Sequence, residues 1–339
     1  MKYSSLIEKL LQSQEPSIQW KIKVNVLGMD RASAEIKNLE KQVKNSARVK
    51  ALLQRVDDRG VLRGERSVYD KWQGTHWVLM TLADIGYPQG EKQLFPLANA
   101  VLKTWLGKRF FNEFTALQKA DAYKLDAIPV MQGRHRTCAS QQGNALYAIL
   151  RLRLEDERIH QLAERLMYWQ WPDGGWNCDK NPEAHNSSFI HTLYSMRALA
   201  LYSKHTGNKE ALERAHKAAE VFLKRKLFKR ASNGKVIRPE FIKLHYPLYW
   251  HYDILGALKV FAEMGITQDE RLNDALELLE KKALPTGGWP AEARYYKKIS
   301  SDFSLNADYV GWGGTSAKQM NEWITADALF VLKHFGRLM

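Results

Sequence analysis

Residues 170–176 read Gln170-Trp171-Pro172-Asp173-Gly174-Gly175-Trp176. Paired glycines let a backbone turn tightly and approach a neighbour closely, a glutamine amide can bond carbonyls left open at a helix end, and an indole covers the junction. A second copy, Pro285-Thr286-Gly287-Gly288-Trp289, keeps the glycines and the tryptophan without the glutamine. A corner that occurs twice predicts a helical hairpin used more than once.

Outward from these corners the chain reads as helix nearly throughout. Five apolar stretches open near Thr75 (THWVLMTL), Cys138 (CASQQGNALYAIL), His191 (HTLYSMRALAL), His251 (HYDILGALKVF) and Glu322 (EWITADALFVL), and four of them run to a glycine, Gly86, Gly207, Gly265 or Gly336. In the last, Ile324, Ala328, Val331 and Phe335 recur at helical spacing before Gly336, where a left-handed cap is wanted. Each stretch after the first follows a second helical segment and a polar or glycine-containing loop. A unit that cannot bury its own apolar face stacks on its neighbours. The pattern predicts an all-α protein: an α/α toroid of five to six helical hairpins over 49–339, with a small helical N-terminal extension over 1–48. An open solenoid fits the same periodicity.

With 339 residues, 45% apolar and 26% charged, the chain has the balance of a globular protein with a large core. No apolar run is long enough to span a bilayer, and the start, MKYSSLIEKLL, lacks a signal core, which predicts a cytoplasmic protein. Two cysteines are too few to staple a fold of this size. The net charge of +14 suits an anionic partner. Its densest cluster, Lys224, Arg225, Lys226, Lys229 and Arg230, comes with no zinc-finger spacing or RNA-binding signature and reads as a solvated face rather than a nucleic-acid site.

The 170–176 loop resembles the Gln-Trp repeat of squalene and other terpenoid cyclases. Through its five repeats the chain resembles a divergent member of the terpenoid cyclase and protein prenyltransferase superfamily, the prenyltransferase and squalene oxidase repeat proteins. That resemblance implies the toroid and a substrate such as an isoprenoid diphosphate or another anionic lipid-like small molecule. The Asp-x-Asp-Asp motif of protonation-initiated cyclases and the Asp-Asp-x-x-Asp cluster of ionisation-initiated synthases do not occur. Gln132-Gly133-Arg134-His135-Arg136-Thr137-Cys138 is similar to the stretch with which prenyltransferases bind diphosphate ahead of a zinc-ligating Asp-x-Cys pair, with Arg136 standing where the family has its aspartate. Phe189-Ile190-His191-Thr192 is similar to the segment around that family's zinc histidine, and Glu183-Ala184-His185 to its diphosphate-contacting Glu-Ala-His.

The residues carry a reading of their own beside the resemblance. Cys138 and His191 each stand seven positions before the Ala-Leu of their repeat, Ala145-Leu146 and Ala198-Leu199. In a closed ring such positions converge on one mouth, where helix N-termini favour anions and lower thiol pKa. Cys178 reaches the same mouth from the loop before His191. Cys138, Cys178 and His191 are therefore the candidate metal ligands, with zinc the candidate ion; lining of a polar cavity is the alternative. His251 and Asp253, at the next helix start, are the candidate catalytic pair. Arg134, His135, Arg136 and His185 are candidates for an anionic head group, and Trp250 and Tyr252 for an apolar wall. The function expected is an enzyme of isoprenoid or related lipid metabolism, a metal-assisted transferase or cyclase-like catalyst. A non-catalytic toroid that binds a lipid or a protein is the alternative.

Overall fold

The computed structural model describes residues 3–57, 61–64, 66–299 and 304–338. Among them thirteen α-helices follow in chain order: α1 Ser4–Leu11, α2 Pro16–Trp20, α3 Ala34–Lys44, α4 Ala47–Leu53, α5 Thr75–Asp84, α6 Phe95–Trp105, α7 Ser140–Leu152, α8 Arg158–Tyr168, α9 Phe189–Thr206, α10 Lys209–Leu223, α11 Ile254–Glu263, α12 Asn273–Lys281 and α13 Glu322–His334. A π-helical segment, Lys21–Val26, continues α2. The helices begin where side chains cap them. Ser33 accepts from Ile36 N, Asn208 from Ala211 N, Asp253 from Gly256 N, and Asn321 from Trp323 N and Ile324 N.

Two kinds of helix alternate. In α5, Thr75 to Ala83 are buried on every face, and α7, α11 and α13 are nearly as enclosed, which marks inner helices. In α8 only one stripe is buried, Ile159, Leu162, Ala163, Leu166 and Met167, and in α12 only Ala275, Leu276 and Leu279, which marks outer helices. Inner helices pack side by side, α5 on α7, α7 on α9, α9 on α11 and α11 on α13, while α3, α6, α8, α10 and α12 each lie outside the inner helix that precedes them.

The ring closes through the N-terminal segment. The Lys21–Val26 segment packs on α13, and Lys21 reaches Asp84 at the end of α5 at 2.9 Å. Residues 16–26 are thus a sixth inner helix between the last and the first of the five read from the sequence. The architecture is an α/α toroid, not an open spiral.

The two corner loops do equivalent work. Trp176 Nε1 donates to Leu166 O near the end of α8, and Trp176 N donates to Thr192 Oγ1 in the first turn of α9. Trp289 Nε1 donates to Leu279 O near the end of α12, and Trp289 N to Thr325 Oγ1 in the first turn of α13. Each corner therefore fills an open carbonyl of an outer helix and fastens it to the next inner helix. The Gln170 amide donates to Arg214 O, which lies within α10 rather than at a helix end, and to Gly174 O. Gly174, at φ +104°, presses so near α10 that a Cβ would stand 2.5 Å from Lys217 O.

The sheet content is small. Strand β1, Glu113–Thr115, runs parallel to β2, Ile128–Met131, with Glu113 opposite Ile128; β2 pairs antiparallel with β3, Arg134–His135, with Val130 opposite His135. Two further residue pairs, Lys297–Lys298 and Ala307–Asp308, form a parallel β4–β5 ladder. From the basic cluster after α10, Lys226 and Lys229 both pair with Asp274 of α12, at 3.0 and 2.6 Å. Among the described residues no helix is long and apolar enough to cross a membrane.

Candidate functional site

Three stretches of chain deliver Cys138, Cys178 and His191 to one point on the rim where the inner helices begin. Cys138 stands two residues before α7 and His191 in the first turn of α9, and these helices lie against each other with Gly143 close to the α9 backbone. Cys178 follows the Trp176 corner, and Asn177 holds that loop by a bridge to Arg136 and a bond from its amide to Asn186 O. The two sulfurs and an imidazole nitrogen all lie within 4.8 Å of one another. Cys178 Sγ is 3.0 Å from His191 Nε2, and Ser140 Oγ is 2.9 Å from His191 Nδ1.

The two thiols titrate as a pair. A hydrogen bond from Cys178 lowers the Cys138 pKa despite its burial, and the charges of Lys180, Lys71 and Arg109 lower it further. Donation to Cys138 raises the Cys178 pKa, and burial raises it again. Of the two, Cys138 is thus the sulfur that gives up its proton more readily and Cys178 the one that holds it more tightly. Tyr69 faces the same charge: burial first, and then Cys138, push its phenol upward. Burial lowers the pKa of both Lys71 and Lys180, against the pull of Cys138. Lys71 Nζ lies 4.7 Å from the centre of the Trp250 ring, and Lys180 Nζ lies 3.8 Å from that of Tyr123 and bonds Ala122 O at 3.0 Å. Among the described residues neither ammonium has a carboxylate partner.

This donor set suits zinc. Two cysteines and one histidine leave a tetrahedral ion one position open, as in catalytic rather than structural sites. The pKa of one sulfur is already lowered, and Ser140 holds the far nitrogen of the imidazole, the outer-shell contact that fixes which nitrogen is free to ligate.

The other residues singled out in the sequence stand as follows. Asp253 is buried; one carboxylate oxygen caps α11 through Gly256 N at 2.7 Å, and the other holds His245 Nδ1 at 2.9 Å and His245 N at 3.0 Å. Its oxygens are occupied, and its imidazole partner is His245, not His251. His251 stacks on Tyr295 and on Trp250, with ring centres 4.0 and 4.7 Å apart. Burial, helped by the charges of His245 and Lys71, brings its pKa down to about 3. Trp250 does border the rim, between His251 and Lys71. Tyr252 lies away from it, among Phe189, Phe222 and Phe241, with its hydroxyl on Leu227 O at 2.6 Å.

Around Trp171 the basic residues are unequal. Arg136 is buried at 2% exposure, and its guanidinium donates to Ala184 O at 2.8 Å and Pro182 O at 3.2 Å while lying over the indole. His135 Nε2 is 3.3 Å from a Glu113 oxygen. Arg134, also over Trp171, donates to Gln132 O, and the exposed His185 bonds Glu183 O. The two terminal nitrogens of Arg136 are spent on the 182–184 loop and its Nε is buried without a partner, whereas Arg134 and the exposed His185 keep donors toward solvent. Sequence reading missed Tyr69, Lys71, Ser140 and Lys180; only the serine, two residues after Cys138, carried a signal in its position.

The axis of the ring is filled by charge. Lys21 and Lys259 each bond both Asp84 and Asp327, at 2.9 and 2.9 Å and at 2.6 and 2.9 Å. Arg197 grips Glu263 through two bonds of 2.6 Å and also bonds Tyr147 Oη. Burial pushes the Asp84 carboxyl up, but Lys21 and Lys259 hold it well below the usual range. Beside this network a chamber of about 60 Å³ remains, bordered by Tyr194, His245 and Asp253.

No protein-family model matches the chain, and no curated protein sequence matches it. Solved structures with a similar course of chain include the unsaturated glucuronyl hydrolase of Bacillus sp. GL1, at 14% identity over 94% of this chain and 84% of that one, with a TM-score of 0.44. The type II terpene cyclase MstE from Scytonema is similar at 15% identity over 94% and 86%, with a TM-score of 0.42. A variant of that cyclase in complex with geranylgeranyl dihydroxybenzoate is similar at 14% identity over 96% and 88%, with a TM-score of 0.43.

Proposed function

We propose that the chain is a zinc-dependent enzyme whose reaction takes place on the rim of the toroid at Cys138, Cys178 and His191. The observation that carries this reading is the meeting of two thiols and an imidazole from three separate stretches, all within 4.8 Å. Bound there with one position open, zinc supplies a Lewis acid that lowers the pKa of a coordinated water or thiol. The chain's own residues do the rest. Ser140 orients His191, Lys71 and Lys180 offer positive charge to an anionic substrate, and Trp250 offers a flat apolar face beside them. Arg134 and His185 are further donors for an anionic head group.

An isoprenoid diphosphate, the substrate class implied by the family resemblance, would lie along this rim with its head toward the lysines. A chamber of about 60 Å³ on the axis holds only a few waters.

Elemental analysis of the purified chain tests the proposal. About one equivalent of zinc is expected in the wild type, less than about a tenth in Cys138→Ser and His191→Ala, and a sulfur-to-metal charge-transfer band after cobalt exchange. Wild-type protein that takes up neither metal would overturn it and leave the non-catalytic binding ring.

A further inference from the structure

At the other end of the ring, where the inner helices finish, a chamber of about 620 Å³ opens. That is the size of a small-molecule site, about 300 to 1,000 Å³, and roughly ten times the chamber near the rim. Its floor is the axial network, which separates it from Cys138.

The charges around it do not cancel. Arg197 is neutralised by Glu263, and Lys259 by Asp84 and Asp327. Arg151, in the last turn of α7, and Lys204, in the last turn of α9, also border the chamber, and neither has a carboxylate partner among the described residues. Behind them Arg31 is paired with Glu40 at 2.5 Å; burial lowers its pKa, Glu40 raises it, and the charge of Arg151 lowers it again, so Arg151 is felt there as a positive charge. Leu201, Leu212, Met264 and Phe330 form an apolar part of the wall, and Asn25, Ser203 and His334 are polar residues elsewhere on it. Leu212, on the outer helix α10, is 43% exposed.

We infer that this chamber is a second binding site, for a small amphiphile whose anionic head, a carboxylate or a phosphate monoester, meets Arg151 and Lys204 while its apolar body lies along Leu201, Leu212, Met264 and Phe330. A guanidinium donates two parallel bonds to either head group, and a mobile ammonium adds a third donor. The head is held beside a low-dielectric floor, where an unpaired cation gains more from an anion than it does in water. Cations in the last turn of a helix also favour its own carbonyl end, so the test separates ligand binding from helix stability. The inference does not depend on zinc at the opposite rim.

Calorimetric titration of the full chain with octyl phosphate and with octanoate, each below its micelle concentration, is the experiment. At least one should saturate a single site, and the tighter of the two identifies the head group. Inorganic phosphate should bind at least about tenfold more weakly, and octyltrimethylammonium should not bind. The double variant Arg151→Glu/Lys204→Glu should lose at least about tenfold in affinity. Ala200→Phe, which fills the chamber and leaves its charges in place, should do the same if the double variant does not fold. Zinc content should be unchanged in both. The inference is overturned if neither anionic amphiphile saturates, if the cationic one binds equally well, or if both variants bind like the wild type, in which case Arg151 and Lys204 serve only their helices.

Discussion

Replacing Lys259 by methionine tests the axial network most directly. The Lys259 ammonium bonds Asp84 at 2.6 Å and Asp327 at 2.9 Å, while Lys21 bonds the same two carboxylates. Burial works against its charge, yet Asp327 and Asp84 raise its pKa above that of an ordinary lysine. Lys259→Met leaves two buried carboxylates sharing one cation, and removing one partner from a buried ion pair costs about 3–5 kcal/mol. At about 2.1 cal/mol/K per residue, a chain of 339 residues unfolds with roughly 0.7 kcal/mol/K of entropy. The melting temperature should therefore fall by about 4–7 °C by calorimetry at pH 7.5. Lys259→Met/Asp327→Asn restores one cation to one carboxylate, Lys21 to Asp84, and should recover more than half of the loss. A single variant within about 1 kcal/mol of wild type, or a double variant no better than the single one, would refute the network as described.

Acid should weaken the fold in a defined window. Burial holds His76, and burial with the charges of His245 and Lys71 holds His251, at a pKa of about 3 in the folded chain, against about 6.5 when unfolded. Both are neutral in the fold, so the unfolded chain takes up protons first as pH drops. Stability is full above about pH 7.5 and falls between 6.5 and 3, by about 2 kcal/mol per histidine at pH 5; urea unfolding at pH 7.5 and 5.0 measures it, and a difference below about 1 kcal/mol would contradict it. Ser140→Ala should weaken zinc binding by about 10–100-fold in a chelator competition, without lowering the stoichiometry at saturation. An unchanged affinity would mean that Ser140 does not orient His191.

What could be read from the sequence was local. The corner at 170–176 and its copy at 285–289 gave the hairpin, and the matching register of Cys138 and His191 placed them on one rim before any coordinates did so. The closing helix was harder, because Pro16–Val26 mixes Lys21 and Lys23 among apolar residues and reads as an extension packed on the ring rather than as one of its inner helices. Lys21 is buried because its partners, Asp84 and Asp327, lie 63 and 306 residues away, a pairing that no window of sequence contains. A hint was present: Asp84, Arg197, Lys259 and Asp327 each interrupt an otherwise apolar inner helix. Tyr69 and Lys71 lie ahead of the first inner helix with no motif around them, and only the folded ring brings them to Cys138. Asp253 was noticed at the right helix start, but its partner His245 comes from the preceding loop, outside any helical repeat.

Lys21 leaves the ribosome 306 residues ahead of Asp327. While the residues between them are made, an ammonium destined for the interior therefore stays in water, and the toroid cannot shut until α13 arrives to meet it. A stacked array of repeats can consolidate one unit at a time and fray from its ends. A hoop closed by Lys21 between the carboxylates of α5 and α13 has no loose unit to shed, so removing either residues 16–26 or α13 should be felt on the whole circumference.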